Sequence, residues 1–254
     1  MRKRILCSLI AVLVAIALLP METFAATNYS NVFANLTAAD IATYNTALPA
    51  KGTKVSASQI SSELSAIGYK MPGKQGPVIA ENYLVFSTDN GVLDYASKYS
   101  NWYKISGKTI YNYSESVVLY TSYGTPSPDV SCEFSKVKGK TLTYYSWKLG
   151  ATTGYTSQIA LASSSGKAPK MTGCKKYKDV KLLGQKCFVY SYKVKGSAAV
   201  YYNYVSRKTG LTLKHVSVDP SGYVTTSVNF VQKYASKPNS YFAPPSGVTF
   251  TSSY

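Results

Sequence analysis

A chain of 254 residues allows one large domain or two small ones and is long enough to bury a core. Lysine and arginine number 28 against 11 acidic residues and one histidine, a formal charge of +17, so catalytic carboxylates and imidazoles are scarce. With 45% apolar and 13% aromatic residues, the sequence excludes a disordered basic tail, and collagen and coiled coil are excluded with it.

Residues 1–25 open with Arg2, Lys3 and Arg4, run through an apolar stretch from Ile5 to Leu19, break at Pro20 and reach Thr23-Phe24-Ala25. This order is that of a secretory signal peptide cleaved after Ala25, and it predicts a secreted, periplasmic or otherwise extracytoplasmic protein. The alternative is an uncleaved anchor, because the apolar run is close to the shortest span a bilayer requires. Removing the segment leaves 25 bases against 10 acids, or +15. Only Arg207 among those bases is an arginine; the other 24 are lysines, point charges without the planar fork that reads guanine or grips phosphate. Nucleic-acid readout is therefore not expected. A lysine-rich surface suits diffuse attraction to an anionic membrane or to phosphate-bearing wall polymer, unless the charge is a solubilising coat over every face.

From residue 26 to about 75 the pattern is helical. One helix is expected from about Ala38 to Leu48, started by Thr37 and Asp40 and stopped by Pro49. A second is expected from about Ala57 to Ile67, ended by Gly68. Ser56 and Gln59 have capping-box spacing, in which each side chain satisfies a free amide of the first turn. From about residue 76 to the C terminus the period changes to two. Trp102 to Ser106, Gly107-Lys108 and Thr109 to Tyr113 read as a hairpin, and further strands are expected at 116–123, 141–148, 158–162, 187–194, 199–206, 211–218 and 223–233. Turns at Lys208-Thr209-Gly210 and Asp219-Pro220-Ser221-Gly222 keep the connections short, which predicts an antiparallel meander without parallel crossovers. Ser163 to Gly166 reads as a loop within this domain. The fold class is α+β.

Three cysteines follow residue 25: Cys132, Cys174 and Cys187. In an oxidising compartment, Cys174 and Cys187 are the better disulfide pair, since Gly184 and the polar run after Cys174 can bring them opposite each other. One histidine and no C-x-x-C leave no expected metal site, and no cofactor motif is present.

Tyr202-Asn203-Tyr204-Val205-Ser206-Arg207-Lys208-Thr209-Gly210-Leu211-Thr212-Leu213-Lys214 resembles the strand, turn and strand of the LolA/LolB-like lipoprotein-carrier superfamily. Phe242-Ala243-Pro244-Pro245-Ser246-Gly247-Val248 is similar to that superfamily's closing signature, and Leu183 to Tyr190 fits its preceding strand. The resemblance covers about residues 180 to 250; Thr212 stands where the family often has proline. It implies a strongly curved antiparallel sheet, a half-barrel with helices packed on the concave side, that holds acyl chains of lipid or lipoprotein without chemistry.

Bulky, semi-rigid tyrosines suit such a wall, and all 24 lie after residue 25. Alternation puts Phe188, Tyr190 and Tyr192 on one face of their strand and Tyr202 and Tyr204 on one face of the next; these, with Trp147, are the candidate ligand-binding residues. The same rings would serve equally as ordinary core beneath the helices, with Tyr201 and Asn203 turned the other way. His215, expected on the face of Leu211 and Leu213, has no marked acid or nucleophile near it in sequence, and Cys132 lacks an activating cation. The carboxylates are scattered, so a glycosidase pair cannot be picked out. The chain reads as a non-enzyme. It is either an exported carrier or sensor of an apolar ligand, or a surface module that binds anionic wall polymer or glycan. Asn28, Asn35 and Asn112 begin glycosylation triplets.

Overall fold

The computed structural model describes residues 41, 43–68, 78–127, 129–161, 170–234 and 239–252. The signal-like residues 1–25, the triplets at Asn28 and Asn35, the Thr37 and Asp40 pair and the loop at 163–166 lie outside the described residues. In chain order come β1 (Thr53–Lys54), the helix α1 (Ala57–Ala66), β2 (Val78–Asp89), β3 (Val92–Ser106), β4 (Thr109–Thr121), β5 (Ser131–Lys138), β6 (Thr141–Lys148) and β7 (Thr153–Ala160). There follow β8 (Met171–Lys176), β9 (Val180–Leu182), β10 (Gln185–Val194), β11 (Val200–Ser206), β12 (Thr212–Val218), β13 (Tyr223–Tyr234), a 3-10 turn (Asn239–Phe242) and β14 (Thr249–Ser252).

All described strands join one sheet in the order β1-β8-β10-β11-β12-β13-β2-β3-β4-β5-β6-β7-β14, with β9 beside β10. Two meanders, β2 to β7 and β8 to β13, are thus fused where β13 pairs antiparallel with β2. Chain connectivity requires the sheet to curve. Ten residues join β7 to β8, a reach of at most roughly 40 Å. Yet β7 and β8 stand ten strand spacings apart, roughly 48 Å along the sheet, so the two ends must bend toward each other. The sheet does not close.

The local signals explain the elements. Ser56 caps α1: its hydroxyl accepts from the Gln59 amide at 3.2 Å while the Gln59 side chain accepts from the Ser56 amide at 2.7 Å. Ile60 is the fully buried anchor of α1. Helical geometry before it ends at Tyr44, so the expected helix to Leu48 is four residues too long; residues 45–49 are irregular. The Gly107-Lys108 hairpin forms as expected, with Gly107 at φ 58. The strand expected at 116–123 is the second half of β4.

Two expectations of topology are corrected. β14 pairs parallel with β7, because the chain passes through the 3-10 turn before it reaches the sheet edge. Residues 53–66 do not form a separate helical piece: β1 extends the sheet beside β8, and α1 lies on it. As for helices on the concave side, the one helix with a described span covers only the end of the sheet formed by β8, β10 and β11. The opposite face is covered at that end by Leu48 and farther along by Ile41 and Tyr44, with the 3-10 turn at the far end.

Candidate functional site

Register decides which aromatic residues can share a surface. Phe188, Tyr190 and Tyr192 stack along β10 at centroid separations of 5.4 and 6.1 Å, then continue to Tyr201 at 5.5 Å and His215 at 5.9 Å. Their cross-strand partners are Val205, Asn203 and Tyr201. This is the face on which α1 lies, and Ile60, Cys174, Phe188, Tyr190 and Val205 form one buried cluster beneath it.

Tyr202 and Tyr204 pair with Ser191 and Val189 and so emerge on the opposite face, in a cluster with Tyr177, Cys187, Leu213 and Val216. The candidate wall therefore does not exist as one surface. Phe188, Tyr190 and Tyr204 are buried, and Tyr192 and Tyr202 are half-buried against their clusters. These rings are core under the helix and under the strap of residues 44–48. Trp147 lies elsewhere, against Tyr113 at 6.1 Å and Phe250 at 5.9 Å.

The expected disulfide is also overturned. Cys132, Cys174 and Cys187 are buried free thiols, and Cys174 belongs to the α1 face while Cys187 belongs to the other. A bond between them would have to pass through the sheet. Burial pushes the Cys132 and Cys187 thiols up to about 11, away from the thiolate that a nucleophile needs. His215 does not share a face with Leu213. A bulge at Tyr204 and Val205 leaves Leu213 as the extra residue of β12, which turns Leu213 and His215 to opposite sides. His215 Nδ1 lies 3.0 Å from Asn203 Oδ1, and burial lowers the imidazole to about 4. Asn112 sits inside β4, half-buried, so its triplet does not lie in a loop.

The sequence reading missed a different site. Opposite the α1 face, register aligns Tyr111 with Lys136 and Thr143, and Tyr113 with Phe134 and Tyr145, across β4, β5 and β6. Phe134 packs near Tyr145 at 5.7 Å and Tyr111 at 6.5 Å, and Phe242 from the 3-10 turn joins the cluster. These rings floor a half-open trough of about 430 Å³, walled by Phe242 to Pro244 and rimmed by Lys136, Lys138, Thr141, Thr143 and Gln158. Lys136 lies 5.8 Å from the centre of the Tyr111 ring and Lys104 lies 5.5 Å from that of Phe242, both as cation–π contacts. Both tryptophans, Trp102 and Trp147, adjoin the same cluster.

The alternation Tyr111-x-Tyr113, Phe134-x-Lys136 and Tyr145-x-Trp147 was the available signal, and only the cross-strand register unites it. Among the described residues no group of three or more His, Cys, Asp or Glu side chains could hold a metal ion, and no helix is long and apolar enough to cross a membrane.

Comparison with known proteins gives low-identity structural likenesses. A family DUF1329 protein from Desulfovibrio piger aligns at 10% identity over 73% of this chain and 95% of its own, with a TM-score of 0.36. A domain from Vibrio parahaemolyticus described as outer membrane lipoprotein-sorting aligns at 11% over 72% and 94%, with a TM-score of 0.34. A LolA superfamily protein from Nitrosomonas europaea aligns at 9% over 75% and 98%, with a TM-score of 0.31. No family model matches the sequence, and no curated protein matches it.

Proposed function

We propose that this chain is an exported, non-enzymatic binding module that holds an amphiphile in the trough between β4 and β7. The acyl or other apolar part lies on Tyr111, Phe134, Tyr145 and Phe242, and an anionic head group meets Lys136 and Lys138. The observation that carries the reading is the junction of an aromatic floor with a lysine rim in one half-open cavity of about 430 Å³. Rings supply large contact area at little loss of side-chain freedom, and lysine attracts an anionic head without demanding one geometry. The absence of enzymatic chemistry is supported by the chemistry of the reactive groups: Cys132 has its thiol pushed up to about 11, and His215 is turned to Asn203 on the other face.

A second reading, binding of anionic wall polymer or glycan, is favoured by Thr141, Thr143 and Gln158, which offer hydroxyl and amide groups beside rings on which a sugar could stack. Native mass spectrometry of protein purified from its own host separates the two. A co-purifying lipid mass, lost on the double substitution T143F/Q158F, is the expected result. Repeated absence of lipid together with tight binding to wall polymer would remove the amphiphile in favour of the second reading.

A further inference from the structure

The charges divide along the strand axis. Four hairpin turns lie at one end of the sheet: Gly107-Lys108, Gly139-Lys140, Leu183-Gly184 between Lys181 and Lys186, and the turn from Arg207 to Gly210 that contains Lys208. Each carries an exposed lysine in the turn or beside it. Two acids toward this end, Glu63 and Asp179, are held in ion pairs, Glu63 with Lys176 and Arg207, and Asp179 with Lys186 and Arg207, and Glu81 lies three residues into β2. The other end carries Asp89 at the Asn90-Gly91 turn, Asp94, Asp129 before β5 and Asp219 at the β12–β13 turn. Among the described residues Lys108, Lys140, Lys181 and Lys208 form no ion pair, whereas the far end carries four aspartates.

Its shape is also informative. The four turns are spread from β10 to β6, eight strand spacings or roughly 38 Å of sheet edge, so the lysines define a broad front and not a groove. Arg207, the residue suited to gripping a single phosphate, is occupied by Asp179 through two hydrogen bonds of 2.6 and 2.9 Å. The trough residues Lys136, Lys138 and Thr141 lie at the same end, beside the Gly139-Lys140 turn.

We infer that this lysine-tipped end docks end-on against an anionic phospholipid bilayer, which brings the trough mouth to the lipid surface. A diffuse array of lysines spread along one sheet edge matches a diffuse array of lipid phosphates, whereas a single polymer chain would call for charges lining one track. The inference goes beyond the trough reading, because attraction at the turns does not require the trough to be filled.

The test is co-sedimentation of the protein as purified, its N terminus defined by intact mass, with vesicles of phosphatidylcholine alone or with about a third phosphatidylglycerol. Preferential association with the anionic vesicles is expected, and it should weaken with salt. The substitutions K108E, K140E and K208E together should lower that association more than about tenfold, while K170E, K193E and K195E at the opposite end should change it about threefold at most. T143F/Q158F should retain vesicle binding, so loss of the trough ligand and loss of docking are read separately. Equal weakening by both triple substitutions, no preference for anionic vesicles, or binding to soluble polyphosphate without binding to vesicles would overturn the proposal.

Discussion

The two meanders of the sheet are built from similar strands but are covered differently. The meander of β8 to β13 is packed on both faces: α1 lies over Phe188, Tyr190 and Val205, and Leu48 lies over the cluster of Cys187, Val189, Tyr204 and Leu213. In the meander of β2 to β7, the described cover of the rings at the β4–β6 end is Val130, the 3-10 turn, Ala243-Pro244 and β14, and a trough remains. An aromatic strand face is core or binding surface according to what the rest of the chain lays on it. Both meanders are rich in aromatic residues; their cover is not alike.

The largest expected effect tests that contrast directly. Phe188 is fully buried between the helix and the sheet with Arg207 5.3 Å and Lys176 5.7 Å from its ring centre. Phe188→Ala should cost about 3 to 5 kcal/mol in denaturant unfolding, whereas Tyr111→Ala in the trough floor should cost less than about 2 kcal/mol. Equal costs would mean that the trough is ordinary core.

A second effect belongs to Lys214, on the strap side of the packed meander. Its ammonium donates to the Tyr44 carbonyl at 2.8 Å and to Thr46 Oγ1 at 3.0 Å, and burial lowers it to about 8 from an ordinary 10.5. Between these values the unfolded chain holds a proton that the folded chain has released, so stability rises with pH across that window. The gain is at most about 3 kcal/mol, fully developed above about 10.5. Wild type measured against Lys214→Met from pH 8 to 10 should show the extra positive slope in the wild type only.

The smallest effect concerns His215. It is the chain's single histidine, so its ring resonances are unambiguous in an NMR titration. Its lowered value of about 4 means that the neutral ring persists well below pH 6, and the associated stability is present above about 6.5 and lost as pH falls toward 4. A midpoint near the ordinary 6.5 would show that the α1 face is wetter around β11 and β12 than the packing implies.

Much of the fold was legible in sequence where local chemistry decides structure. Ser56 and Gln59 mark the start of α1, Gly107 marks the β3–β4 turn, and residues 141–148 are β6 as expected. Asn90-Gly91 is an equally strong hairpin signal, with both residues at positive φ, and reading it would have revealed β2. What sequence could not supply was register. Alternation along β10 and along β11 is plain, but only the pairing of Val189 with Tyr204 shows that their aromatic faces point apart. One bulge likewise reverses Leu213 relative to His215, and the trough exists only because three strands put Tyr111, Phe134 and Tyr145 on one face. The parallel placement of β14 depends on where the chain goes after the 3-10 turn, which no strand pattern encodes.

The trough is proposed as a ligand site. It is tested most directly by following emission from Trp102 and Trp147, which both adjoin its aromatic cluster, during titration with dodecyl phosphate and with inorganic phosphate. A saturable change with the amphiphile, little change with inorganic phosphate, and loss of the response in T143F/Q158F are expected. A response that does not saturate, or that survives filling of the trough, would contradict it.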